Sequence, residues 1–354
     1  MAMSIEDAKA KLDAHIKKQR THMYKPIQIA EILYAYRTRK DDIDPLDLNT
    51  YRTKSRRWRD EVTKRLVGRV STSSARFQDN LFESNAIPPT VLSVLAEENN
   101  NKNGVVESYI YHRFKQRLNL IMNVYNYLQK CNKNTFDLQY FISLFENQEE
   151  LKKSIDKIYE ITVYSLFYTI IRQLGVEVEL KITNTNEELL KDFSHFTKMV
   201  LGIDHNSLSK VVKANVYRVG VTNAADRGLD MWSNFGPAIQ VKHLSLTEEV
   251  SEEIAGSIDA DQIVIVCKAC EAGVIESILN QLGWSNRIQG IVTETNLIEW
   301  YRLCLTKYGE EMGDYLLDNL NREFVEEFPH TFEIEKFMNE RGYSEGQLVG
   351  LWKL

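Results

Sequence analysis

Several common features are missing from this chain, and each absence removes a class of protein. No apolar run approaches the roughly 18 residues needed to span a bilayer. The N-terminal stretch Met1-Ala-Met-Ser-Ile-Glu-Asp7 has no basic segment leading into an apolar one, so no secretory signal is expected and a cytoplasmic protein is the simplest reading. Only four cysteines occur, Cys131, Cys267, Cys270 and Cys304, too few and too scattered for a disulfide framework. A net basic charge is also missing: the formal value is −6, which argues against a uniformly basic coat for nucleic acid. Binding, however, depends on where charge sits and not on its sum. No internal repeat is visible.

What is present is ample. A length of 354 residues accommodates two domains of ordinary size, and an apolar fraction of 43% supplies a sizeable core. Charge is unevenly placed. Arg52, Lys54, Arg56, Arg57, Arg59, Lys64, Arg65 and Arg69 follow one another against only Asp60 and Glu61. The C-terminal end reverses the sign, with Glu310, Glu311, Asp314, Asp318, Glu326, Glu327, Glu333 and Glu335. The basic block is either a grip for phosphates or a solvated helix face.

Hydrophobic spacing divides the chain. Residues 1–150 read as helical, with apolar side chains three and four apart in 5–18 and 27–37 and a long helix over 105–129. Pro45 and Asp47 open a helix running into the basic block, and the serines near Ser73 and Ser74 are N-cap candidates for a helix through Phe82. From about 151 the pattern changes. A helix over 151–174 ends at Gly175, and Val176–Ile182 alternates as a strand. A helical insertion at 189–201 precedes strands at 212–221 and 238–244. A capped helix begins at Thr247, and Asp261–Cys267 reads as a buried strand. A helix over 271–282, a strand over 288–293 and a helix over 297–308 follow. That order predicts an α/β core with a mixed sheet covered by helices.

The stretch from Asp230 to His243 carries the chemistry. An acidic residue is followed, after a short turn, by Gln240-x-Lys242 inside an apolar run. If two strands form a hairpin there, Asp230 and the Gln240/Lys242 pair converge, with Ile239 and Val241 turned to the opposite, core-facing side. A carboxylate, an amide oxygen and an ammonium aimed at one point can hold a divalent cation and a water beside a phosphate. Asp226, four residues earlier, is the alternative acid, ranked second because Leu229 and Met231 set Asp230 in the more strand-like alternation.

Acid, short spacer, then D/E/Q-x-K on the next strand resembles the PD-(D/E)xK nuclease superfamily. More narrowly, Arg227-Gly-Leu-Asp230-Met-Trp with Asn234-Phe-Gly and Gln240-Val-Lys-His243 resembles the type II restriction endonucleases of the HaeII kind. So does Tyr51-Arg-Thr-Lys-Ser-Arg-Arg-Trp-Arg-Asp60 with Arg69-Val-Ser-Thr-Ser-Ser-Ala-Arg76-Phe-Gln78. The resemblance covers most of the chain. It implies a restriction-endonuclease-like core at 151–310, a helical N-terminal DNA-binding region at 1–150 and a helical C-terminal extension at 311–354. It implies cleavage of double-stranded DNA by an Mg²⁺-dependent homodimer at a short GC-rich palindrome with a GCGC core, in a system with a cognate DNA methyltransferase. Asp230 is then the main metal carboxylate. Gln240 stands where the superfamily has Asp or Glu and ligates without charge. The Val241 carbonyl is a further ligand, and Lys242 sits beside the attacking water. Glu160, on the preceding helix, either restores a site charge or faces solvent.

Other candidates compete. The stretch from Arg69 to Asn80 is the base-reading candidate, since Arg76 and Gln78 can read guanine and adenine edges and serines such as Ser73 and Ser74 can offer hydroxyls and N–H groups to phosphates, while Arg52, Lys54, Arg56, Arg57, Arg59, Lys64 and Arg65 hold phosphates. Trp58 is expected as a core anchor and His243 as a packing residue. Cys267-Lys-Ala-Cys270 has the spacing of a redox pair but lacks Gly-Pro between the thiols. A structure-directed or repair nuclease, a DNA-binding protein without activity and an oxidoreductase stand as alternatives to the restriction enzyme.

Overall fold

The computed structural model describes residues 3–38, 42–204, 207–219, 229–271, 274, 287–328 and 333–354. The expected end of a strand at Val221, the acid Asp226, the Arg227-Gly228 part of the motif and most of the expected helix at 271–282 lie outside these residues. Two compact units account for the fold. One comprises Met1–Tyr159 and Leu320–Leu354, the other Glu160–Val219 and Asp226–Asn319. No helix among the described residues is long and apolar enough to cross a membrane.

The first unit is helical. α1 (Ile5–Lys17) is capped by the Ser4 hydroxyl, which accepts from the Asp7 amide, and buries Ala8, Leu12 and Ile16 at four-residue spacing. α2 (Tyr24–Thr38) is buried on nearly all sides and packs against α3 (Arg52–Val67), whose end is set by Gly68 at φ +80°. No α-helix starts at Pro45. Asp47 instead caps a 3₁₀ turn at Leu48–Thr50, and α3 begins only at Arg52. α4 (Ala75–Asp79) is a single short turn, followed by α5 (Pro89–Asn101), α6 (Val105–Lys130) and α7 (Leu138–Glu146).

Two buried carboxylates knit these helices. Glu107, fully buried, accepts from Arg37 at 3.0 and 2.9 Å, from Asn99 at 2.5 Å and from the Tyr343 hydroxyl at 2.6 Å. Glu31 accepts from Tyr111 at 2.6 Å and Arg341 at 3.1 Å. Burial pushes the Glu31 carboxyl up, against the pull of Arg341. Removing one partner from such a pair strands a charge and costs about 3–5 kcal/mol.

The second unit begins in α8 (Ile155–Gln173), which crosses the unit boundary. β1 (Glu177–Lys181) leads through α9 (Glu187–Asp192), α10 (Ser194–Phe196) and a π-helical turn at Thr197–Leu201 to β2 (Ser209–Lys213). β1 and β2 pair only with each other, antiparallel. The chain then enters a second sheet of order β3-β4-β5-β7-β9: β3 (Val216–Arg218), β4 (Met231–Ser233), β5 (Ala238–Val241), β7 (Ile263–Cys267) and β9 (Ile288–Thr293). β3, β4 and β5 run antiparallel, while β5, β7 and β9 are parallel. β6 (Ser245–Leu246) pairs with β8 (Ala269–Cys270). The helices that follow are α11 (Glu248–Ser257) and α12 (Glu294–Arg302) of this unit, α13 (Asp314–Glu327), which crosses back, and α14 (Glu333–Arg341) of the helical unit. The result is a mixed α/β core.

The strand expected over 212–221 is therefore two strands in two sheets. The cause is Asn234 in the β4–β5 turn. Its side chain accepts from the Asn215 amide at 2.8 Å and donates to the Lys213 carbonyl at 2.9 Å. These bonds replace ladder bonds and break the strand at Ala214-Asn215. β3, and not the strand at 176–182, is consequently the first strand of the central sheet.

Burial also sets a pH dependence. Burial, and next the Arg69 guanidinium, lower the His22 pKa to about 3, and burial followed by Lys25 lowers that of His15 to about 4. Unfolded histidine titrates near 6.5, so the unfolded chain binds more protons between that value and the folded ones. Stability is full above about pH 6.5 and is lost as pH falls toward 3. Urea midpoints measured from pH 7 to 4.5 should fall, and His22→Gln should flatten that fall.

Candidate functional site

β4 and β5 form a tight hairpin. Met231 lies opposite Ile239 and Trp232 opposite Ala238. Its turn requires Gly236, at φ +126°, and is closed by Ser233, whose amide and hydroxyl donate to the Pro237 carbonyl at 3.2 and 2.9 Å. Carried one residue further, the register sets Asp230 opposite Gln240. The Val219 amide donates to the Asp230 carbonyl at 2.9 Å, so the neighbouring β3–β4 ladder reaches Asp230. The Val241 amide then donates to Asp230 Oδ2 at 2.8 Å, fixing the carboxylate at the open end of the hairpin. Lys242 continues the strand, its amide donating to the Val266 carbonyl at 2.8 Å. Alternation places Asp230, Gln240 and Lys242 on one face. The N–H and C=O of one residue project to the same neighbour in an antiparallel pair, so the Val241 carbonyl emerges on the edge that carries Asp230.

Burial at the site differs from expectation. All of Ala238–Val241 is buried, so Gln240 does not face an open surface. Ala238, Ile263, Ile265 and Cys267 pack with Ile254 and Ile258 of α11, which covers the face expected to be open. Gln240 is 3% exposed, and its Oε1 has no hydrogen-bond partner among the described residues. A buried acceptor left unpaired costs about 1–3 kcal/mol. A hard cation shared with Asp230 would satisfy it.

No three His, Cys, Asp or Glu side chains cluster as a metal site among the described residues, so such a cation would draw on the amide and backbone oxygens as well. Glu160 lies on α8 in the same unit and is 5% exposed, which removes the solvent-facing alternative. His243 is half-buried on the opposite alternation.

The basic block forms a second feature, in the helical unit. Arg52, Lys54 and Arg57 are exposed on α3. Arg52 pairs with Asp79 at 2.7 Å and Arg57 with Glu61 at 3.0 Å, surface pairs worth about 0–1 kcal/mol and readily exchanged for phosphate. Two expected DNA contacts are corrected. Arg59 is 1% exposed, its guanidinium held by Asp60 at 2.6 and 2.9 Å and by Gln28 at 3.0 Å, so it braces α3 against α2. Arg69 donates to His22 at 3.0 Å and to the Glu327 carbonyl, which ties it into the fold. Trp58 packs against the core.

The base-reading stretch folds onto α3. Ser74 caps α4, accepting from the Phe77 amide at 3.3 Å, so its hydroxyl is engaged within the turn. Arg76 is exposed, while Gln78 donates to the Ser73 carbonyl. Gln78 Oε1 and Arg56 Nε have no partner among the described residues, and both side chains line one cleft of about 570 Å³ with Thr53, Arg57 and Lys64. Lys64 was read with the basic block, but Thr53 was not singled out from the sequence. The signal was there, because 53, 56, 57, 60 and 64 fall on one helical face.

The cysteine pair loses its redox reading. Burial, then Cys270, pushes the Cys267 thiol up to about 12, and burial also raises Cys270. Neither supplies a thiolate at neutral pH.

The chain is similar to known proteins over nearly its whole length. The sequence model of the HaeII restriction endonuclease family matches residues 8–343. The chain is 48% identical over 344 residues to the type II restriction enzyme HaeII of Haemophilus aegyptius, covering 96% of this chain and 97% of that protein. It is 49% identical over 346 residues to the type II restriction enzyme NgoBI of Neisseria gonorrhoeae, covering 97% and 98%. No solved structure matches the chain.

Gln240→Glu tests the orphaned amide. Without metal, a second buried carboxylate opposite Asp230 should destabilise by about 1–3 kcal/mol, and millimolar Mg²⁺ should restore the loss. Thermal melts with and without Mg²⁺ read this directly. Equal loss in both conditions would make Gln240 a structural amide.

Proposed function

This chain belongs to the HaeII restriction endonuclease family, and on that premise we propose that it is a type II restriction enzyme, a site-specific deoxyribonuclease acting on double-stranded DNA. The observation that supports the reading is the hairpin register, which sets Asp230, Gln240 and Lys242 on one face, with Gln240 Oε1 buried and without a partner among the described residues. The α/β unit is then a PD-(D/E)xK catalytic core, corresponding to 151–310. Residues 1–150 form the DNA-binding region, with 311–354 as a helical extension.

In this reading Asp230, Gln240 Oε1, the Val241 carbonyl and Glu160 hold a divalent cation, for which Mg²⁺ is the best match to an all-oxygen donor set. When bound, the ion lowers the pKa of a water and neutralises charge on the phosphate. Asp230 is oriented for this by the Val241 N–H. Lys242, on the same face, orients the attacking water and stabilises charge growing on the phosphorane. Water attacks phosphorus in line with the 3′ oxygen, the P–O3′ bond breaks, and the product carries a 5′ phosphate. Gln240 brings no charge, so Glu160 is the second carboxylate of the centre.

Arg52, Lys54, Arg56 and Arg57 hold phosphates, and Arg76 with Gln78 reads base edges. Arg59, Arg69 and the Ser73–Ser74 cap support this surface from within. The active form is a homodimer on a short, GC-rich palindrome, since two-fold protein symmetry matches two-fold DNA symmetry. Leu189, Phe193, Phe196 and Val200, at helical spacing, expose an apolar face suited to a second copy. A cognate methyltransferase protects the host DNA from such an activity.

Plasmid DNA incubated with the protein and Mg²⁺ should give discrete fragments. Lys242→Ala should slow cleavage by about a hundredfold or more while metal-free DNA binding stays within about twofold. Cleavage at the wild-type rate by that variant would remove Lys242 from the site. Arg57→Ala should lower the slope of log affinity against log salt by about one, without changing the preferred sequence.

A further inference from the structure

Tyr217 on β3 and Trp232 on β4 are direct cross-strand partners. Their rings stack at 4.2 Å between centroids, with 19° between planes. Both stay open to solvent, Tyr217 at 37% and Trp232 at 45% exposed, while their strand neighbours Val216, Met231 and Ser233 are buried. The pair therefore stays open at the β3–β4 side of a face that α11 covers further in, at Ala238 and Gln240. Among the described residues β3 is an edge strand, with no described strand beyond Tyr217.

The position of this pair is informative. Trp232 is two residues from Asp230, so their side chains share a face and lie about 6.8 Å apart along the strand. That distance matches about two 3.4 Å base-pair rises of duplex DNA. Opposite Trp232 is Ala238, two residues before Gln240 and buried with α11, yet Trp232 itself stays 45% exposed. Hence a flat aromatic surface adjoins the carboxylate, in line with Asp230 and on the same face as Gln240 and Lys242. In a duplex the bases stack on one another, so the apolar surface open to such rings is the deoxyribose face, which carries no sequence information.

We propose that Tyr217 and Trp232 form a platform for the apolar face of a nucleotide flanking the scissile phosphate, holding the strand in position over Asp230. This rests on the nuclease reading of the hairpin. The rings are positioning residues and exchange no proton with the reacting atoms.

The test is binding of a labelled duplex containing the recognised site, followed by fluorescence anisotropy without divalent metal at several salt concentrations. Trp232→Ala should weaken binding about tenfold or more at every salt concentration. The salt slope should not change, because no phosphate contact is lost. Trp232→Phe should restore affinity to within about twofold, and Tyr217→Ala should reproduce the loss should Trp232→Ala not fold. Wild-type affinity in both alanine variants would overturn the platform, as would a Phe variant no better than Ala or a slope changed by about one. A wild-type protein that binds no DNA would overturn the nuclease reading itself, and the two failures are thus distinct.

Discussion

The hydrogen bond from the Val241 amide to Asp230 Oδ2, 2.8 Å long, is the contact on which the candidate centre depends. It ends the β4–β5 ladder with a side chain in place of a carbonyl. A slip of one residue would send Gln240 and Lys242 to the opposite face and break the constellation. The tight turn at Gly236 and the Ser233 bonds to Pro237 set the same register from the other end. With both ends held, Asp230 is presented in one orientation before any ligand arrives, which is the preorganisation that phosphoryl-transfer chemistry uses.

The two units treat buried charge differently. In the helical unit Glu107 and Glu31 are each met by an arginine and a tyrosine, so their burial is balanced locally. At the hairpin, the position opposite Asp230 carries a neutral amide. A second carboxylate there would be desolvated beside a like charge, whereas an unpaired amide oxygen costs only about 1–3 kcal/mol. Gln240 thus keeps the apo fold tolerable while preserving an oxygen donor. The same economy appears on α3, where Arg59 is spent on bracing and the exposed Arg52 and Arg57 form weak surface pairs.

Legibility varied with the range of the interaction. Alternation over 238–243 was enough to put Gln240 and Lys242 on one face, and the spacing to Asp230 suggested a hairpin. The burial of Gln240 was not readable, because it depends on α11 packing across the sheet. The ribbon of β1 and β2 read as strands but not as a separate sheet, since that separation is made by Asn234, nineteen and twenty-one residues from its partners. Arg59 looked like its exposed neighbours because composition does not reveal that Gln28 faces it.

By itself the sequence determined the α/β class, the helical first half, the acid…QxK constellation and the basic face of α3, all of which rest on local periodicity and residue chemistry. Only the tertiary structure decided which strands share a sheet, which arginines are braced, that Gln240 Oε1 is buried with no partner among the described residues and that Tyr217 stacks on Trp232. Each of those depends on a partner distant in the chain, and pairing across such distances is chosen by packing and hydrogen bonding together, not by the residues of one segment.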